Sequence, residues 1–145
     1  MHKRYRRTKI HRTYTKSLKK IFGNCSELKT IDFQQFNTKS CMDFSLMFFY
    51  CPKLKDLKVD KFYSKNIRNM DSLFEGCLKL KLINLSCFNA SNVIDTTRIF
   101  YQCTILNELK LPNNYNNKIK YMGYMFYECR KLEKLDYSLK AQIKK

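Results

Sequence analysis

Residues 74 to 93 read FEGCLKLKLINLSCFNASNV, and the reading of this stretch decides the whole chain. Its Phe74, Cys77, Leu80, Ile83 and Leu85 recur every 26 residues. The first column is Phe22, Phe48, Phe74, Phe100 and Phe126, and the second is Cys25, Cys51, Cys77, Cys103 and Cys129. A third holds Leu28, Leu54, Leu80, Leu106 and Leu132; a fourth holds Ile31, Leu57, Ile83, Leu109 and Leu135. The fifth reads Phe33, Val59, Leu85, Leu111 and Tyr137. Beyond it the columns loosen to Phe36, Phe62 and Phe88, then Cys41, Ile67, Val93 and Ile119. No insertion or deletion breaks the register, and self-similarity at a fixed period is the signature of a stacked repeat.

Each repeat has a local reading. Phe44, Met47, Phe48 and Cys51 fall at i, i+3, i+4 and i+7, one face of about two helical turns. Asp43 stands where an N-cap belongs, and Pro52 follows where a helix stops. Met70, Leu73, Phe74, Cys77 and Met122, Met125, Phe126, Cys129 repeat the spacing. Leu54-x-x-Leu57-x-Val59 then alternates as a short half-buried strand does. Neither a two-turn helix nor a single short strand is stable alone in water, so stacking must bury both. The expected fold is an α/β solenoid, a leucine-rich-repeat-like right-handed stack with one short parallel strand and one short helix per 26-residue repeat. Five repeats occupy residues 21–139, between a basic N-terminal arm (1–20) and a basic tail (140–145).

The third repeat, from Phe74 through Cys77, Leu80, Ile83, Leu85, Ser86, Phe88, Asn89, Ser91 and Asn92 to Val93, resembles the BspA-like leucine-rich repeat family. The match is to the mycoplasma-type pattern M-F-x-x-C-x-x-L-x-x-L-D-L-S-x-F-N-T-S-N-V and covers about residues 21 to 137. The resemblance implies a surface or secreted protein engaged in adhesion and protein–protein contact. The N-terminus points elsewhere. Its first twenty residues carry positive charge but no apolar core and no cleavage site, so they do not read as a signal peptide. No apolar run of about 18 residues is present to cross a membrane.

The formal charge of +17 is unevenly placed. The first twenty residues hold nine Lys or Arg and no acid, and residues 140–145 hold three Lys, so residues 21–139 carry 17 basic and 12 acidic groups. The strong field therefore belongs to the arm. Arg4, Arg6, Arg7, Lys9, Arg12 and Lys16, with Tyr5 and Tyr14 between, can grip phosphates of nucleic acid or an anionic membrane. The arm also reads as a degraded leading repeat capping the stack, because Tyr5, Ile10, Leu18 and Ile21 fall in the columns of Ile31, Phe36, Phe44 and Met47. A third reading is drift in a Lys-rich chain.

Chemistry finds little footing. His2 and His11 are the only histidines, both in the arm, and three glycines leave no phosphate-cradling loop. No metalloprotease or nucleophile-elbow motif occurs, so no enzyme, catalytic residue or cofactor is expected. Five of the seven cysteines form a straight column without the close pairs that zinc sites use, so they read as small buried thiols rather than metal ligands. Cys41 reads as core and Cys87 as more exposed.

What remains is binding. The outward strand positions include Asp32, Asp56, Lys58, Asp60, Asn84, Glu108, Lys110 and Asp136, with Pro112 among the others, a mixed face for a protein or glycan partner. A second surface is the opposite side, where Phe49, Tyr50, Tyr101, Tyr124 and Tyr127 are not needed by the columns. The uncovered edge after the fifth strand permits end-to-end self-association and also fits a fragment of a longer array.

Overall fold

The computed structural model describes residues 15–133 apart from 32, 34, 35, 60–63, 113 and 115–117. The expected fifth strand at Leu135–Tyr137 lies outside the described residues. Four short strands are present: β1 (Thr30–Ile31), β2 (Asp56–Leu57), β3 (Leu82–Asn84) and β4 (Glu108–Lys110). β1 pairs in parallel with β2, Thr30 opposite Asp56, and β3 with β4, Leu82 opposite Glu108. Each partner is thus 26 residues on. A second line of parallel bridges runs through all five repeats, from Ser17 to Asp43, Asn69, Asp95 and Tyr121.

The segments expected to be helical are not. Among the described residues none is in a helix; residues 45–50 form a run of turns, as do 71–76 and 97–102. The backbone hydrogen bonds show why. The N–H groups of Met47, Phe49 and Cys51 each reach back three residues, to the carbonyls of Phe44, Leu46 and Phe48 at 3.3, 3.0 and 3.2 Å. The alternate N–H groups, of Phe44, Leu46, Phe48 and Tyr50, instead donate to the next repeat, at Asn69, Asp71, Leu73 and Glu75 (2.7 to 3.0 Å). A helix would direct every amide along its own axis and leave the neighbouring repeat unbonded. Here each amide has a partner, which matters because a buried N–H left unpaired costs about 1–3 kcal/mol.

This hydrogen-bonding pattern is paired with left-handed backbone at two positions in every repeat. Lys20, Leu46, Ser72, Arg98 and Tyr124 form one such column, with φ between 51° and 59°. Asn24, Tyr50, Gly76, Gln102 and Glu128 form the other, between 51° and 72°. Nine of these ten are not glycine, and each costs roughly 1–2 kcal/mol against a right-handed alternative. The residue expected as an N-cap still accepts a nearby amide. Asp43 Oδ1 takes the Ser45 N–H at 2.9 Å, with Asn69 and Asp95 doing likewise for Asp71 and Thr97.

Inside the stack the phenylalanine rings lie face over face. Successive centroids from Phe22 to Phe126 are 5.5, 5.6, 5.6 and 5.8 Å apart, and the planes are within 8° of parallel. Phe44, Met47, Phe48 and Cys51 are all buried, so the apolar spacing marks the inward set correctly even though the backbone is not helical. Leu18 is buried too, and its N–H bonds to the Asp43 carbonyl at 2.9 Å, which places residues 16–20 in the first repeat.

Phe74, only 1% exposed and stacked on both faces, is the most demanding place to remove a ring. Phe74→Ala is expected to cost about 3–5 kcal/mol, read as a lower denaturation midpoint, against little change for the exposed Lys65→Ala.

Candidate interaction surfaces

The strands set the first surface. Leu82, Asn84, Glu108 and Lys110 point outward while Ile83 and Leu109 are buried, and Lys58 is exposed just after β2. Asp32, Asp60 and Asp136 lie outside the described residues, and Asp56 is described only as backbone. Pro112, expected on this face, is instead buried: β4 ends at Lys110, so the alternation that would turn residue 112 outward has already stopped. The visible part of the face mixes one acid, two bases, an amide and Leu82, and its aromatic content is nil among the described positions. Of the arm residues, Lys16 is exposed and its carbonyl accepts the Met42 N–H at 2.8 Å; Arg4, Arg6, Arg7, Lys9 and Arg12 lie outside the described residues.

The turn side carries the second surface. Tyr101 and Tyr127, one period apart, stack at 5.1 Å with planes 12° from parallel. Tyr124 meets the Tyr127 ring edge-on at 6.0 Å. The Arg98 guanidinium lies 5.6 Å from the Tyr101 ring centre and 5.8 Å from that of Tyr124. Tyr124 and Tyr127 remain 63% and 50% exposed, so the contacts order the rings without hiding them. A cation held over exposed rings contributes about 0.5–1 kcal/mol, enough to bias a few rotamers. Phe49, expected on the same side, is half-buried against the Tyr50 ring at 4.6 Å.

Beside this cluster runs a groove of about 340 Å³ that was not anticipated from the sequence. Its walls come in pairs, one from each of four repeats: Tyr50 and Pro52, Gly76 and Leu78, Gln102 and Thr104, Glu128 and Arg130. Gly76 keeps it open at the Tyr50 end, since its φ is +72° and a Cβ there would sit 3.2 Å from the tyrosine ring. Arg130 and Glu128 form an ion pair at the other end. The only signal in the sequence was positional, the residues two and four places after each phenylalanine of the column from Phe48 to Phe126.

The cysteine column is chemically quiet. The thiols of Cys51, Cys77, Cys103 and Cys129 donate to the carbonyls of Phe22, Phe48, Phe74 and Phe100 at 3.0 to 3.3 Å, tying each repeat to the one before. Burial pushes Cys51 and Cys129 up to about 12, from an ordinary 9.0, and raises Cys77 and Cys103 well above it. Cys41 is also buried and raised, whereas Cys87 is exposed. Among the described residues no group of His, Cys, Asp and Glu could hold a metal ion, and no helix is long and apolar enough to cross a membrane.

A family model described as Mycoplasma protein of unknown function, DUF285, matches residues 16–138. The match begins at Lys16, the first of the described residues whose carbonyl bonds to the following repeat. No curated protein and no solved structure matches the chain.

Two thiol outcomes follow. A water-soluble disulfide reagent at neutral pH should label Cys87 quickly, and the buried column only after denaturant is added. Because the folded state holds the protons of Cys51, Cys77, Cys103 and Cys129 more tightly than the unfolded chain, it gains stability below about pH 9 and loses it as pH rises from about 9 toward 12. Cys51→Ala should flatten that alkaline loss relative to the parent; an unchanged slope would deny the column this role.

Proposed function

The chain belongs to the mycoplasma family DUF285, and on that footing we propose that it is a non-catalytic interaction module, an adhesion-type scaffold that meets a protein or glycan partner. We read the stack as a solenoid related to the BspA-like leucine-rich repeats, with a run of turns in place of each helix. The 26-residue columns and their ring-on-ring packing support this reading.

The contact surface in this reading is the turn side. The observation that carries it is the Tyr101–Tyr127 stack with Arg98 beside Tyr101 and Tyr124, an exposed cluster of the two residue types most enriched at binding hot spots after Trp. The groove next to it offers apolar walls, an amide, a hydroxyl and one ion pair to fix a partner's orientation. Among the described residues the strand face offers no comparable anchor.

The arm supports a second reading, because nine of the 29 basic residues fall in the first twenty with no acid among them. In it the chain binds nucleic acid or an anionic surface.

Two measurements separate the readings. On an array of secreted proteins and oligosaccharides, Tyr124→Ala/Tyr127→Ala should weaken capture by at least about tenfold, roughly 1.4 kcal/mol, with Lys58→Ala/Lys110→Ala changing it little; the reverse order would move the site to the strands. Binding to single-stranded RNA, by contrast, should fall steeply with salt and vanish in a chain lacking residues 1–14 if the arm is responsible.

A further inference from the structure

At its two ends the described stack presents complementary rows of backbone groups. Within the stack, four N–H groups of each repeat donate to carbonyls of the next, as Ser72 does to Thr97, Phe74 to Ile99 and Gly76 to Tyr101. In the last repeat the equivalent donors are Met122, Tyr124, Phe126 and Glu128. Among the described residues none of these four N–H groups has an acceptor. In the first repeat the equivalent acceptors are the carbonyls of Ser17, Lys19, Ile21 and Gly23. Those of Lys19 and Ile21 receive nothing among the described residues, Gly23 receives only the Cys25 thiol at 3.9 Å, and Ser17 receives the Thr15 hydroxyl at 2.6 Å.

We propose that a second copy of the chain docks here, head to tail, so that the last repeat of one copy lays its donors on the first-repeat carbonyls of the next. Continuing the register pairs Met122 with Ser17, Tyr124 with Lys19, Phe126 with Ile21 and Glu128 with Gly23. The same step sets the half-buried Leu132 over the half-buried Leu28.

The occupant follows from the pattern of donors. Four N–H groups two residues apart, with no acceptor between them, cannot pair with an ordinary strand edge, which presents N–H and C=O in turn. Two last repeats cannot pair either, since donor would face donor. A row of carbonyls without intervening donors is required, and the first repeat supplies one. A contact made from two different surfaces does not close on itself when it proceeds by translation, so the assembly is open-ended. This inference is independent of the partner proposed above.

The test is sedimentation of the full chain across a concentration series, with hydrogen exchange at the two extremes. The weight-average mass should at least double, and the amides of Met122, Tyr124, Phe126 and Glu128 should slow with concentration while interior amides stay constant. Each copy carries +17, so added salt should strengthen the association by screening repulsion. Phe126→Glu and Ile21→Glu, each checked for a folded circular dichroism spectrum, should be monomeric alone and form a one-to-one dimer when mixed. A mass that stays monomeric with unchanged exchange overturns the proposal. So does a variant that dimerises alone, which would mean like ends meeting.

Discussion

The structure rests on how one segment of each repeat divides its amides. Half of them close turns within the repeat, and the alternate half reach the repeat that follows. That division removes the choice of register: shifting a repeat by one residue would aim inward-closing amides at the neighbour and leave its carbonyls empty. It also explains why four periods of 26 residues run without an insertion at any point between Phe22 and Phe126. The phenylalanine stack and the thiol bonds add to an order that the backbone has already imposed.

The columns were legible because burial is periodic in the sequence. Phe74, Cys77 and Leu80 are almost wholly inaccessible, and every interior repeat places the same types there. The backbone between them was not legible. Phe44, Met47, Phe48 and Cys51 face inward in a helix and in a ribbon of turns alike, so their spacing cannot distinguish the two. The feature that does distinguish them is left-handed backbone, and it usually announces itself through Gly or Asn. Here it falls on Lys20, Leu46, Ser72, Arg98 and Tyr124, where only the stack, not the residue type, enforces it. Asn24 and Gly76 were the two available hints.

The candidate surfaces were legible to different degrees for a related reason. Tyr124 and Tyr127 stood out because no column needed them. Their grouping with Tyr101 and Arg98 joins residues of two successive repeats, so it becomes visible only once the register is laid out in space. The groove is harder still. It draws Tyr50, Leu78, Thr104 and Arg130 from four repeats, and those positions share no chemistry that a column would reveal.

The thiol column bears on a question that cysteine counting answers badly. Seven reduced cysteines suggest a reducing setting if each is taken as a reactive group. Thiolate, not thiol, is the species that attacks a disulfide or meets an oxidant. Cys51, Cys77, Cys103 and Cys129 have that form suppressed by burial, and each donates its proton to a backbone carbonyl of the preceding repeat. Five of the seven lie in a column whose size suits the space beneath the phenylalanines, and one of the remaining two is buried as well. Exposed reactivity therefore narrows to Cys87, a count compatible with either side of a membrane. The abundance of cysteine here reflects packing and inter-repeat bonding, and it carries no weight in deciding where the chain works.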